Sequence, residues 1–289
     1  MAPSAVYTTG APVLRSSAHR AVYSKSRKGD AGPVAPRGAL PDALRETEVF
    51  AMPDDDTADA LRVAVARLLR RAGPAVGAWP EDEDVDPSRA RLEDFRVPVG
   101  SLADTKAGSC DAAQAHLADL VAADEGEDGI LPAFDRLVED VVVPRLRRRL
   151  VSCGALAEDE PARFYVQRPP TLRLQPGPST RHVRPHRDGE YGHQDGEVNF
   201  WLPLTDPAET RVTLEVESKP DAGDYAPLNA RVGHVAAFHG TSLRHFAPAN
   251  PTTSTRCSLD FRVGVEGWFD PAWSMRGTKA DHSRREIRA

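Results

Sequence analysis

The chain has 289 residues and a mass of 31.4 kDa, enough to bury a sizeable core as one large domain or a domain with extensions. Charged residues make up 28% and the net charge is −6, which gives no general attraction to nucleic acid or to an anionic membrane surface. Three cysteines, Cys110, Cys153 and Cys257, in no C-x-x-C spacing argue for free thiols in a reducing compartment, against a disulfide framework or a structural zinc. No apolar run approaches the roughly 18 residues of a membrane span, and there is no phosphate-binding P-loop or dinucleotide G-x-G-x-x-G signature.

Residues 1–40 stand apart in composition. They hold six basic side chains against the single acid Asp30 and are rich in Ser, Thr and Ala. That is the texture of an organellar transit peptide or of a disordered tail. From residue 41 to 160 the pattern is helical. Asp56-Thr57 is placed to cap a helix that buries Leu61, Val65, Leu68 and Leu69 and stops at Gly73-Pro74. A second helix is expected over Ala112–Ala123 and a third over Ile130–Leu150, broken or bent at Pro144, with its basic run 145–149 facing solvent.

After Pro161 the helical period gives way to short β-branched or alternating runs separated by turn residues. Strands are expected at Phe164–Gln167, Thr171–Gln175, Arg181–Pro185, Glu197–Leu204, Arg211–Glu217, Val235–Phe238, Leu243–Phe246 and Arg256–Val263. Eight short strands in about a hundred residues point to a sandwich or barrel, the jelly roll among them. The expected class is α+β: a double-stranded β-helix core (jelly-roll, cupin-like) over 161–265, with the helices of 41–160 packed on it. A C-terminal extension, 266–289, packs Trp268 and Trp273 back on the core and frays at its end.

The chemistry sits in the strand region. His186-Arg187-Asp188 spaces an imidazole and a carboxylate so that an extended chain points both to one side, where a single metal could take them. His193, His234, His239 and His245 are candidates for a third ligand. Ten residues after His245 comes Arg256-Cys257-Ser258. A guanidinium and a hydroxyl there can grip the far carboxylate of a diacid whose other end chelates the metal.

With these residues, H-x-D followed by H-x10-R-x-S, the chain resembles the Fe(II)/2-oxoglutarate-dependent dioxygenases. Asn250, five residues after His245, makes it most similar to the phytanoyl-CoA-hydroxylase-like branch. The run HxDxExGHxxGExNFWLPLT is similar to oxygenase-like proteins found near aminocyclitol antibiotic pathways. The resemblance covers about residues 160–265. It implies His186, Asp188 and His245 as iron ligands, with His239 as the rival distal ligand. It further implies Arg256 and Ser258 as the clamp for 2-oxoglutarate, O2 as the second co-substrate, and release of succinate and CO2 on hydroxylation of a C–H bond. Asp188 itself, where related halogenases carry a small residue, favours hydroxylation or another oxidation over halogenation.

Other polar residues carry weaker expectations. Asn199 could reach the co-substrate, and Trp201, on the same face of its strand, could wall the pocket or simply belong to the core. Arg173 could meet a substrate anion or form a rim salt bridge. Tyr165 and His193, with Gln167 and Glu190, are possible substrate contacts. A small molecule is expected as substrate, with no nucleic-acid or membrane partner, in a soluble intracellular protein of the cytoplasm or an organelle. A cupin-type metal enzyme would need no Arg256/Ser258 clamp, and a non-catalytic jelly-roll module would bind no iron.

Overall fold

The structure, a computed structural model, describes residues 38–80, 86–97, 112–179, 183–272 and 283–289. The expectations for residues 1–37, Cys110 and Trp273 lie outside the described residues. The first half is built from helices α1 (Asp42–Arg45), α2 (Asp55–Ala72), α3 (Ala112–Ala123), α4 (Ile130–Leu137) and α5 (Val143–Ser152), with one strand among them, β1 (Glu48–Ala51). The strands of the second half are β2 (Arg163–Gln167), β3 (Thr171–Gln175), β4 (Glu197–Pro203), β5 (Glu215–Val216), β6 (Ala226–Pro227), β7 (His234–Phe238), β8 (His245–Phe246), β9 (Arg256–Val265) and β10 (Arg284–Arg288).

Helix α2 is capped two residues earlier than expected. The side chain of Asp54 accepts the Thr57 N–H at 3.0 Å, leaving Asp55 and Asp56 in the first turn where the helix dipole favours them. Its other end is Gly73 at φ 72°, as the sequence implies. Pro144 does not break the third helix. Proline has no N–H for the carbonyl one turn back, and a π-turn at Val138–Val142 absorbs the mismatch, so α4 runs on into α5. The basic run 145–149 is not wholly solvated either: Arg145 and Arg149 both turn onto Glu48 of β1.

The strands form two antiparallel sheets. The larger has the order β1-β7-β4-β9-β2-β10, with β3 sharing the β9 edge with β2. The smaller has the order β6-β5-β8. Alternation along β4 and β9 sorts the side chains. Phe200, Leu202, Leu259, Phe261 and Val263 pack under α2, α4 and α5. Phe134 of α4 meets the edge of Phe261 at 4.8 Å, and Phe261 stacks on Phe200 at 5.3 Å; each such ring pair contributes about 0.5–1.5 kcal/mol beyond its buried area. On the other face Trp201, Ala236 and Phe238 pack against Val216, Leu228 and Leu243 around the smaller sheet. The polar positions of β9 (Arg256, Ser258, Asp260, Arg262) share this second face, so they lie between the sheets.

Several expected strands differ. Arg211–Glu217 shrinks to β5, because Asp206 caps a helical turn α6 (Pro207–Thr210) that ends with Arg211 at φ 54°. Residues 183–185 make no strand: the Val183 N–H bonds the Ala247 carbonyl at 3.1 Å, and the first β-bridge is His186 with His245. The end expected to fray is β10, which hydrogen-bonds to β2 along its length. Gly264 has no room for a side chain: a Cβ there would meet the Phe269 ring at 2.3 Å. Phe269, with Tyr165 at 5.5 Å, covers that end of the inner face. Among the described residues no helix is long and apolar enough to cross a membrane.

Candidate metal centre

His186 and His245 are direct cross-strand partners. Each backbone N–H bonds the other's carbonyl, at 3.2 and 2.9 Å, and the ring centroids are 4.5 Å apart. Asp188 follows two residues after His186, where the extended chain turns into the short helical turn Asp188–Tyr191. One donor atom from each of His186, Asp188 and His245 lies within 4.8 Å of the others. The carboxylate oxygen Oδ1 faces both imidazoles, 3.8 Å from His186 Nε2 and 3.7 Å from His245 Nε2.

What surrounds these three side chains fixes which atoms they offer. His186 Nδ1–H donates to the Arg184 carbonyl at 2.9 Å and His245 Nδ1–H to the Leu243 carbonyl at 3.1 Å, so both lone pairs are on Nε2. The second carboxylate oxygen, Oδ2, accepts from Asn199 Nδ2 at 2.6 Å and from Arg262 Nε at 2.7 Å, which leaves Oδ1 for a metal. Burial opposes ionisation of Asp188, but the Arg262 guanidinium, by its charge and its hydrogen bond, outweighs it and holds the carboxyl well below its usual 3.8. Burial pushes the His245 imidazolium down from its usual 6.5, keeping the ring neutral. Two imidazoles and one carboxylate on one side of a point, with no thiolate, fit Fe(II) or a similar divalent ion.

Asn199, in the cavity wall, also serves the metal site directly: its amide donates to Asp188 and accepts the Gly240 N–H (3.2 Å), so it positions the carboxylate. The chain crosses so close here that a Cβ on Gly240 would lie 2.6 Å from the Asn199 carboxamide. Asn199→Ala is expected to weaken divalent-metal affinity by roughly 10–100-fold, the usual cost of losing such a partner, measurable by Co(II) titration.

His239 is the rival ligand that the geometry removes. Its Nε2–H donates to the Asp195 carbonyl at 2.8 Å and its Nδ1 accepts from the Ser242 hydroxyl at 2.6 Å, so neither nitrogen is left for a metal. His193 also does something other than meet substrate: its Nδ1–H donates to Glu197 at 2.9 Å in the interior. Tyr165 lies against Phe269 at the covered end and is not in the cavity wall. Burial holds the imidazolium of His239, like that of His245, below 6.5. The unfolded chain takes up these protons first, so stability is full above about 6.5 and is lost as pH falls. Melting temperatures of the metal-free protein should decline from about pH 7.5 to about pH 5.5; a flat profile would contradict neutral burial of these rings.

A cavity of about 360 Å³ opens beside the cluster and is shared by His186, His245, Trp201, Arg173 and Arg256. Arg256 is 4% exposed, yet among the described residues no carboxylate pairs with it. Its partners are Gln175 Oε1 at 3.0 Å, Ser258 Oγ at 3.1 Å and the face of Trp201, 5.4 Å from the guanidinium carbon. Its Nε–H has no acceptor, and burial with Arg173 nearby lowers the guanidinium to about 10. Trp201 is both core and wall: it is 1% exposed, and its indole N–H has no acceptor. Arg173 forms a bidentate pair with Asp260, at 2.7 and 3.1 Å, half exposed to the cavity, which is the salt-bridge alternative.

The functional residue missed in the sequence is Arg262. It sits directly across from Asn199 in the β4–β9 register, and both reach Asp188. The signal was present in RCSLDFRV, where polar residues at 256, 258, 260 and 262 alternate with apolar ones and so share one face.

Antiparallel sheets that gather two imidazoles and a carboxylate around one point, beside a buried guanidinium, define a β-core protein with a His-x-Asp…His metal site. The chain belongs to the family of the streptomycin biosynthesis protein StrG of Streptomyces griseus. The two are 32% identical over 185 residues, which span 64% of this chain and 87% of StrG. No family model matches the chain. Among solved structures, the apo form of the non-haem monooxygenase ThoJ aligns over 83% of this chain and 84% of its own, at 16% identity and a TM-score of 0.46. A Pseudomonas putida prolyl-4-hydroxylase aligns over 77% and 94%, at 13% identity and a TM-score of 0.41. TM-scores below 0.5 leave the assignment of activity to the site itself.

Proposed function

We propose that this protein is an Fe(II)- and 2-oxoglutarate-dependent oxygenase that hydroxylates a C–H bond of a small molecule. Its catalytic core is a jelly roll over residues 161–265, with His186, Asp188 and His245 as ligands. The observation that carries the reading is the convergence of Asp188 Oδ1 and the two histidine Nε2 atoms while Oδ2 and both Nδ1 atoms are held by the protein. Fe(II) bound there with 2-oxoglutarate would supply an oxidant able to remove hydrogen from a C–H bond, with release of succinate and CO2.

The chain's own residues do the rest. Arg256, buried with no anionic partner among the described residues, and Ser258 beside it are suited to hold the far carboxylate of 2-oxoglutarate, with Gln175 keeping the guanidinium in place. Leu214, Phe238 and Phe246 make an apolar wall that would exclude water from the reacting carbon. A cupin-type enzyme working without 2-oxoglutarate would leave the buried Arg256 unexplained. A binding module without catalysis would leave the shaped donor set unexplained.

The name StrG places that relative in streptomycin biosynthesis, and an aminocyclitol or a related antibiotic precursor is the substrate class we favour. A panel of such precursors is to be tested for succinate release from 2-oxoglutarate above the substrate-free rate. Stimulation that disappears in His245→Ala supports the reading. No stimulation by any extract or precursor, together with no Fe(II)-dependent succinate at all, would overturn it.

A further inference from the structure

Glu197 is fully buried but lies outside the metal-binding cluster. Its Oε2 accepts from His193 Nδ1–H at 2.9 Å and from the Gln194 N–H at 3.2 Å, and its Oε1 accepts from Arg284. His193 and Gln194 close the loop that begins at Asp188, whose carbonyl takes the His193 N–H at 3.3 Å. The Glu197 carboxylate therefore anchors the far end of the segment that presents Asp188. The guanidinium that balances this carboxylate comes from β10, close to the C-terminus.

Arg284 touches the same centre by a second route. In the β10–β2 register it stands opposite Gln167, whose Oε1 accepts from Arg262 at 3.2 Å, and Arg262 in turn holds Asp188 at 2.7 Å. The Arg284 guanidinium also lies 5.8 Å over the ring of Phe269, which covers that end of the inner face. We propose that Arg284 is a positioning residue for the metal centre: the last strand sets the loop carrying Asp188 by neutralising Glu197. The inference rests on reading His186, Asp188 and His245 as metal ligands.

The test is Co(II) titration of the full chain by visible absorbance, beside thermal melts of the metal-free protein. Wild type should bind one Co(II), and His186→Ala should not; if these two behave alike, both this inference and the metal centre fail. Arg284→Met should weaken Co(II) affinity at least about tenfold, in the range seen for residues behind metal ligands. Arg284→Lys should fall between Arg284→Met and wild type. The control is Arg285→Met on the same strand, whose guanidinium pairs with Asp135 and Glu139 of the helical layer. It should lower the melting temperature while leaving Co(II) affinity within about twofold. Equal losses of affinity in Arg284→Met and Arg285→Met, or an Arg284→Met affinity within twofold of wild type, would overturn the proposal while leaving the metal centre standing. Should Arg284→Met not fold, the double variant Glu197→Gln/Arg284→Met buries no unpaired charge and takes its place. A neutral amide holds Gln194 and His193 less tightly than a carboxylate, so a tenfold weakening is still expected, and wild-type affinity would overturn the proposal.

Discussion

Asp188→Ala is expected to abolish divalent-metal binding and to destabilise the metal-free protein at the same time. The loss of metal binding follows from removing the only oxygen donor of the cluster. The loss of stability follows from Arg262. Arg262 is 9% exposed, and without Asp188 its remaining hydrogen bond among the described residues is to the neutral Gln167 at 3.2 Å. Breaking one side of a buried ion pair costs about 3–5 kcal/mol. For a chain of this size that is a fall of roughly 6–20 °C in melting temperature. Asp188→Ala/Arg262→Leu should recover most of the stability and none of the metal binding. Thermal melts and Co(II) titration read the two effects separately. A stable Asp188→Ala that still binds metal would remove Asp188 from the site.

Arg256→Leu is expected to act with the opposite sign on stability. Here the wild-type protein keeps a guanidinium buried among neutral partners, an arrangement that costs free energy unless an anion arrives. Removing it should leave the melting temperature of the metal-free protein unchanged or raised, as replacement of a buried charge by an apolar side chain often does. Binding of 2-oxoglutarate should suffer. Truncating one partner of a buried charge pair costs about 2–5 kcal/mol, which at about 1.36 kcal/mol per tenfold is roughly a thirty- to several-thousand-fold weaker Kd. A change in 2-oxoglutarate affinity below threefold would mean that the far carboxylate is held elsewhere.

The contrast between Asp188 and Arg256 also shows what the sequence could reveal. The H-x-D spacing, the position of His245 and the alternation that puts Arg256 and Ser258 on one face are local properties, readable without a fold. The tie from Arg262 and Asn199 to Asp188 depends on register: residue 199 pairs with residue 262 only because β4 lies beside β9 in one particular alignment. For the same reason the hydrogen bonds of Asn199 to Asp188 and Gly240 are not legible in the sequence. His239 and His245 are each near the end of a strand, so spacing alone left both open; hydrogen bonds to both nitrogens of His239 separate them.

The elements that escaped were edge strands. Both β1 (EVFA) and β10 (RREIR) are short, and β10 is dominated by charge, so neither shows a long alternating apolar run. Their partners come from distant parts of the chain: β1 pairs with β7 and β10 with β2. Propensity within β10 favours a frayed end, and tertiary pairing overrides it. The helices α2, α4 and α5 were easier, because each carries an apolar face at helical spacing. The detail missed there, the π-turn before Pro144, depends on how the backbone compensates for one absent N–H.

On the proposed function, His186, Asp188 and His245 hold one ferrous ion beside a cavity that seats 2-oxoglutarate on Arg256. An anaerobic titration of the protein with Fe(II) and then 2-oxoglutarate, followed by visible absorbance, tests it most directly. A weak charge-transfer band should appear, saturate at one iron per chain and vanish in Asp188→Ala. No band in the wild type, or an undiminished band in Asp188→Ala, would rule out this iron site.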